Sequence, residues 1–152
     1  MYVAIDPGLD TGVALFDAEH ALTGAHLDDP RNLDGFFQGV HKPRYVVIEK
    51  PRVYQRIKSK GDPNDLITLA VRVGEYKQYF LSLGAKVNLV WPSEWKGQQD
   101  KTLNNQRVID ALAPLERNRL KGALKYVPTS KQNNVIDAIG LGKAAFLYRL
   151  WP

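Results

Sequence analysis

The sequence predicts an α/β protein with a five-stranded mixed sheet flanked by helices, and three observations lead to that class. Strand-like and helix-like runs follow the order three strands, helix, strand, long helix, strand, then helices alone. The first three runs are joined by links short enough for hairpins, which makes them an antiparallel meander. Residues 3–5 and 45–48 are apolar without alternation, as strands buried on both faces must be, so both belong at the centre of the sheet. A helical crossover makes these two parallel neighbours, and strands 1, 4 and 5 share one direction. The 152 residues read as one domain spanning 1–152, with no internal repeat, low-complexity stretch or linker.

Each element has a local cause. Residues 2–6 form a short apolar strand ending in Asp6, and Pro7-Gly8 supplies turn chemistry. Residues 11–16 and 21–27 are the next two strands, separated by the polar turn Asp17-Ala18-Glu19-His20. Leu33, Phe36, Phe37 and Val40 recur at helical spacing, so a short helix crosses over next. Residues 45–48 then run into Glu49, flanked by Pro43 and Pro51. Residues 65–83 give the clearest helix, with Leu66, Leu69, Ala70, Val73, Tyr76, Phe80 and Leu83 on one face. Its N-cap is expected at Asn64, after Pro63, and Gly84 ends it. Residues 86–91 form the fifth strand, closed by Pro92, with a short helical turn at Ser93. The tail is helical over about 102–112, 116–124 and 131–147.

Composition narrows the chemistry. Apolar residues make up 44% and charged residues 24%, a globular balance that argues against disorder or a collagen-like repeat. No apolar run approaches the roughly 18 residues of a membrane span, and Asp6 interrupts the segment a secretory leader would need. With no cysteine there are no disulfides, thiolate zinc sites or thiol nucleophiles. The three histidines, His20, His26 and His41, are scattered and read as surface or turn residues. Any bound metal is therefore held mainly by oxygen.

The net charge of +5 is unevenly spread. Residues 1–35 carry seven acids against Arg31 alone, whereas residues 42–60 carry seven bases against Glu49 alone. Residues 117–131 add five bases and no acid. Bases interleaved with Tyr54 and Tyr126 suit a polyanion, because cations meet phosphates and aromatic faces stack on nucleobases. Two solvated loops would carry the same charges. An anionic membrane fits less well, since neither basic stretch shows a clean amphipathic face.

Carboxylates at the ends of buried strands require a reason. Parallel pairing of the first and fourth strands sets Asp6 and Glu49 at adjacent ends, roughly 5 Å apart along the sheet. Asp137, the only acid after Glu116, lies between apolar residues on the last helix, with Asn133 and Asn134 on its face. Taken singly, Asp6 is equally a turn-former, Glu49 a partner for Lys50 or Arg52, and Asp137 a first-turn acid that complements the helix dipole. Taken together, they are an all-oxygen ligand set beside basic segments, the chemistry that selects Mg²⁺ or Mn²⁺.

Ala4-Ile5-Asp6-Pro7-Gly8-Leu9-Asp10-Thr11-Gly12-Val13-Ala14 resembles the first strand and hairpin of the RuvC family of Holliday-junction resolvases, on the ribonuclease H-like fold. Val46-Val47-Ile48-Glu49 is similar to that family's fourth strand with its catalytic Glu. Asn134-Val135-Ile136-Asp137-Ala138-Ile139-Gly140-Leu141 is similar to its closing helix. The compact length and Gly61-Asp62-Pro63-Asn64-Asp65-Leu66-Ile67 most resemble the bacteriophage branch. One position departs: where family members commonly carry Asp or His three residues before the last aspartate, this chain has Asn134, which offers a carbonyl oxygen and no charge. Asp10 is a possible extra ligand or a hairpin residue.

The resemblance implies a structure-selective endonuclease that resolves four-way DNA junctions, with two Mg²⁺ ions (Mn²⁺ substituting) held by Asp6, Glu49, Asp137 and Asn134. It implies paired nicks with 5′-phosphate and 3′-hydroxyl ends. Lys96 and Lys101 stand where the family's lysines stabilise the reacting phosphate, although either is also readable as a solvated lysine. It further implies a homodimer built on the long helix, a basic loop of Arg52, Tyr54, Arg56, Lys58 and Lys60 that meets branched DNA, and a cytoplasmic setting in a bacterial or phage-infected cell. Three alternatives stay open: a non-catalytic junction-binding protein, a broader flap or branched-DNA nuclease, and a sugar-kinase or actin-type ATPase. The last shares the first-strand Asp with Gly8 and Gly12 but needs two lobes, and this chain has length for one.

Overall fold

A computed structural model describes residues 1–52, 62–97 and 101–152. Five strands form one sheet in the order β3-β2-β1-β4-β5: β1 Tyr2–Asp6, β2 Gly12–Phe16, β3 Leu22–Leu27, β4 Tyr45–Glu49 and β5 Lys86–Val90. β1 to β3 are antiparallel, and β1, β4 and β5 are parallel, as the sequence predicts. Val3, Ala4, Ile5, Val46, Val47 and Ile48 are all fully buried, which explains why neither central strand alternates.

The sheet separates two apolar layers, and successive residues of each strand feed opposite ones. Val3, Ile5, Val13, Leu15, Val46 and Ile48 pack with Phe37, Val73, Tyr76 and Phe80. Those partners come from α1 (Asp34–Gln38) and α2 (Pro63–Ser82). Ala4, Ala14, Phe16 and Val47 pack on the other side against α4 (Lys101–Asp110), α5 (Pro114–Leu124) and α6 (Gln132–Leu147). A single turn, α3 (Pro92–Trp95), joins β5 to that second layer. Among the described residues no helix is long and apolar enough to cross a membrane.

α6 lies directly on β1 and β2. Gly12 permits this approach, since a Cβ there would sit 1.9 Å from the carbonyl oxygen of Asn134. The helix therefore meets the sheet level with the end of β1, because Gly12 pairs with Asp6.

Three helix starts differ from expectation for one physical reason. α2 starts at Pro63 and its N-cap is Asp62, whose carboxylate accepts from the Asn64 amide, not Asn64 itself. Proline suits the first helical position because its missing N–H is one the helix leaves unpaired anyway. Pro92 does the same for α3, so β5 stops at Val90 and Trp91 becomes the cap. Pro114 likewise starts α5 two residues before the expected position. The crossover helix is also shorter than its apolar spacing suggests. A 3₁₀ turn over Pro30–Leu33 precedes five α-helical residues, and of the four periodic apolar residues only Phe37 is fully buried, whereas Val40 is 97% exposed.

Candidate functional site

The β1–β2 hairpin that carries Asp6 is clasped from both faces of the sheet. From α2, Arg72 donates to the Gly8 carbonyl, and the Tyr76 hydroxyl pairs with that of Thr11 at 2.9 Å. From the α6 side, Asn134 Nδ2 donates to the Asp10 carbonyl at 3.0 Å and Lys131 Nζ bridges Asp10 Oδ1 at 2.8 Å. Asp10 is thus tied into the hairpin by Lys131 and Asn134. Asp6 ends β1 and Glu49 ends β4, and the parallel register that sets Ile5 opposite Ile48 makes them successors on neighbouring strands.

Asp137 sits in the second turn of α6, 6% exposed. That position is too far along for the first-turn dipole role and leaves the carboxylate at the sheet end. Glu49 and Asp137 share a partner, the Lys96 ammonium that follows α3. Its Nζ lies 3.3 Å from Glu49 Oε1, 3.2 Å from Glu49 Oε2 and 3.8 Å from Asp137 Oδ2. Burial disfavours the charged ammonium, but Glu49, Asp137 and Asp6 together outweigh it and raise the Lys96 pKa. Glu49 is itself pushed up by burial, with Asp137 adding to the rise and Lys96 and Trp95 opposing it. An ionised Glu49 is therefore costly unless a cation stays close. Among the described residues no three carboxylate or imidazole groups are drawn together as a ready-made metal cage; here Glu49 and Asp137 meet at a lysine.

Two further side chains fix these carboxylates, and the sequence did not single out either. Trp95 Nε1 donates to Glu49 Oε2 at 2.6 Å, and Asn104 Nδ2 of α4 donates to Asp137 Oδ1 at 3.3 Å. The indole fits because residue 140 is glycine: a Cβ there would lie 2.9 Å from Trp95 Cζ3 and 2.7 Å from Val108 Cγ2. A buried tryptophan needs an acceptor for its N–H, which is the one signal that marks Trp95 in the sequence; Asn104 carries none. Glu49 does not take Lys50 as its partner, since that ammonium lies 4.0 Å above the Trp91 ring. Beside the cluster, a groove of about 570 Å³ runs between α3, α4 and α6, with Lys96, Ser93, Asn104 and Arg107 among its polar walls.

Asn134 and the three acids are thus at one end of the sheet. Lys101 begins α4, and its side chain lies outside the described residues. Tyr54, Arg56, Lys58 and Lys60 of the basic loop also lie outside them, while Arg52 is exposed at the loop's start.

No family model matches the sequence, and no curated protein matches it. Among solved structures, T. thermophilus RuvC in complex with a Holliday junction substrate matches with a TM-score of 0.58 at 13% identity, over 97% of this chain and 93% of that one. A Thermus thermophilus RuvC structure matches with a TM-score of 0.46 at 15% identity, over 97% and 94% of the two chains. The junction-bound neighbour, taken with the strand order and register above, shows that this chain has the ribonuclease H-like fold of RuvC.

Proposed function

We propose that the protein is a metal-dependent endonuclease that cuts branched DNA, with the four-way junction as its substrate and nicks bearing 5′-phosphate and 3′-hydroxyl ends as its products. The observation that carries this reading is the convergence of Glu49 and Asp137 on one ammonium at the carboxyl edge of the two central strands, where Asp6 ends the neighbouring strand. In open α/β sheets that edge is where ligands bind. The fold neighbour bound to a Holliday junction supports the substrate class.

The residues fit hard divalent cations: the donors are oxygens, and a cationic group already stands among them. Asp6, Glu49 and Asp137 would hold Mg²⁺ or Mn²⁺, and Asn134 could add only its carbonyl oxygen, because its amide nitrogen is engaged on Asp10. Bound there, the ions supply Lewis-acid stabilisation of phosphoryl oxygens and an acidified water. Trp95 and Asn104 orient Glu49 and Asp137, and Lys96 faces the incoming phosphate from the groove. The basic loop from Arg52 to Lys60 would hold the arms of the junction, and a second copy would pack on α2, where Ile67 and Val71 are 62% and 57% exposed one turn apart.

Incubation with synthetic four-way junctions, flaps and linear duplexes, in Mg²⁺, Mn²⁺ or EDTA, tests the reading. Cutting confined to junctions and to metal-containing lanes is the expected result. Asp137→Asn should lower the cleavage rate by at least about 100-fold, beyond the usual cost of losing an outer-shell partner, while junction affinity changes little. A second reading, a junction-binding protein without catalysis, is favoured by Asn134, a neutral residue committed to the hairpin carbonyl. Tight junction binding without cutting in either metal would decide for it.

A further inference from the structure

We propose that Lys96 is a built-in counter-ion of the acidic site, whose ammonium blocks divalent cations until a DNA phosphate draws it away. The proposal rests on the metal-binding reading above and adds a coupling to it: cation loading and substrate binding become one event.

Four observations support the coupling. The ammonium already occupies both Glu49 oxygens and approaches Asp137, so a divalent ion and Lys96 compete for the same lone pairs. Lys96 is also the member best able to leave. Its side chain is 26% exposed, against 13% for Glu49 and 8% for Asp137. It borders the groove from which a phosphate would approach. Finally, Glu49 and Asp137 do not depend on Lys96 for their orientation, because Trp95 and Asn104 hold them independently. Departure of the ammonium therefore leaves oriented oxygens for a divalent ion, whose charge takes over from the lysine, and a phosphate supplies the ammonium with an equivalent anionic partner. The coupling is reciprocal: DNA favours the metal by the same factor by which metal favours the DNA.

The test measures metal binding with no DNA present. Mn²⁺ is titrated into the wild-type protein, Lys96→Met and Lys96→Arg, and free Mn²⁺ is read from its aqueous EPR signal. Lys96→Met, which keeps the length and loses the charge, should bind Mn²⁺ about tenfold tighter or more, within the usual range of coupling factors. Lys96→Arg should bind no tighter than wild type. Circular dichroism reports folding, and Lys96→Gln replaces the Met variant if that one does not fold. Equal affinity for wild type and the neutral variant would overturn the counter-ion while leaving the metal site intact. Absence of Mn²⁺ binding by every folded variant would overturn the metal site itself, and the counter-ion with it. Asp137→Asn in the Lys96→Met background should lower the gained affinity; an unchanged affinity would place the ion elsewhere and refute the proposal.

Discussion

Trp95→Phe isolates one hydrogen bond of the candidate site. The indole N–H meets Glu49 Oε2 at 2.6 Å, and the ring is 8% exposed. Phenylalanine keeps an aromatic ring in the slot left by Gly140 but offers no donor. A hydrogen bond to a charged group contributes about 1.5–3 kcal/mol, and each 1.4 kcal/mol is about a factor of ten in affinity. Mn²⁺ affinity should therefore fall about 10- to 100-fold, the range found when outer-shell partners of metal ligands are removed. The smaller ring also costs core packing, about 1–2 kcal/mol, or a few degrees in Tm. Calorimetric Mn²⁺ titration and thermal melts are run on the same samples, so the affinity loss is read on folded protein. Gly140→Ala offers an independent route to the same effect, because its Cβ would press on Trp95 Cζ3. Metal affinity within twofold of wild type in a folded Trp95→Phe protein would show that the indole does not position Glu49.

Three further outcomes follow from other parts of the molecule. Glu116 is 5% exposed and accepts from the Leu22 amide at 2.6 Å, the Ala113 amide at 2.9 Å and Lys143 Nζ at 2.6 Å. Breaking such a buried pair from one side costs about 3–5 kcal/mol, so Glu116→Ala should lower Tm by about 6–20 °C, with part of the loss recovered in Glu116→Ala, Lys143→Met. Burial opposes ionisation of Glu116, but the Leu22 amide, Lys143 and Ala113 prevail and hold its folded pKa below the ordinary 4.5. The stability it adds is complete above that unfolded value and is lost as pH falls through the folded one; a denaturation series in which Glu116→Gln keeps the wild-type acid slope would contradict this. In the basic loop, Arg56→Ala with Lys58→Ala should reduce the slope of log affinity against log salt by about 2 if both bases meet duplex phosphates, measured by junction titration at several salt concentrations. Ile67→Asp with Val71→Asp should convert a dimer to a monomer in sedimentation velocity, and identical sedimentation of the two proteins would remove this face of α2 from the interface.

How far the sequence discloses the fold depends on whether the deciding physics is local. Continuous apolarity in residues 3–5 and 45–48 encodes burial on both faces, and all six residues other than the partly exposed Tyr45 are fully buried. Three boundary differences are equally instructive, since each lies at a proline in the first helical position: Pro63, Pro92 and Pro114. Given that rule, the caps Asp62 and Trp91 are readable without coordinates. The four-residue apolar stripe of the crossover helix misled for another reason. Five helical residues make less than two turns, too few to turn Phe36 and Val40 toward the core together with Phe37, which Leu33 joins only in part from the preceding 3₁₀ turn.

The site divides along the same line. Asp6 and Glu49 are legible because a strand end is a local event and parallel pairing makes two such ends neighbours. Lys96 and Trp95 reach Glu49 from 47 and 46 positions away, along a one-turn helix whose direction is set by β5 and the packing of Trp95 against Gly140. No periodicity encodes that approach. Its consequence bears on the chemistry of the acids: the Lys96 ammonium already stands against Glu49 and Asp137. Glu49 shows the cost of removing that partner, since burial, with Asp137 adding to it, already pushes its pKa upward despite Lys96. A charged Glu49 in that position is favoured while a cation attends it, and on the proposed reading the attending cation is either Lys96 or a metal, the exchange that the Mn²⁺ titrations probe.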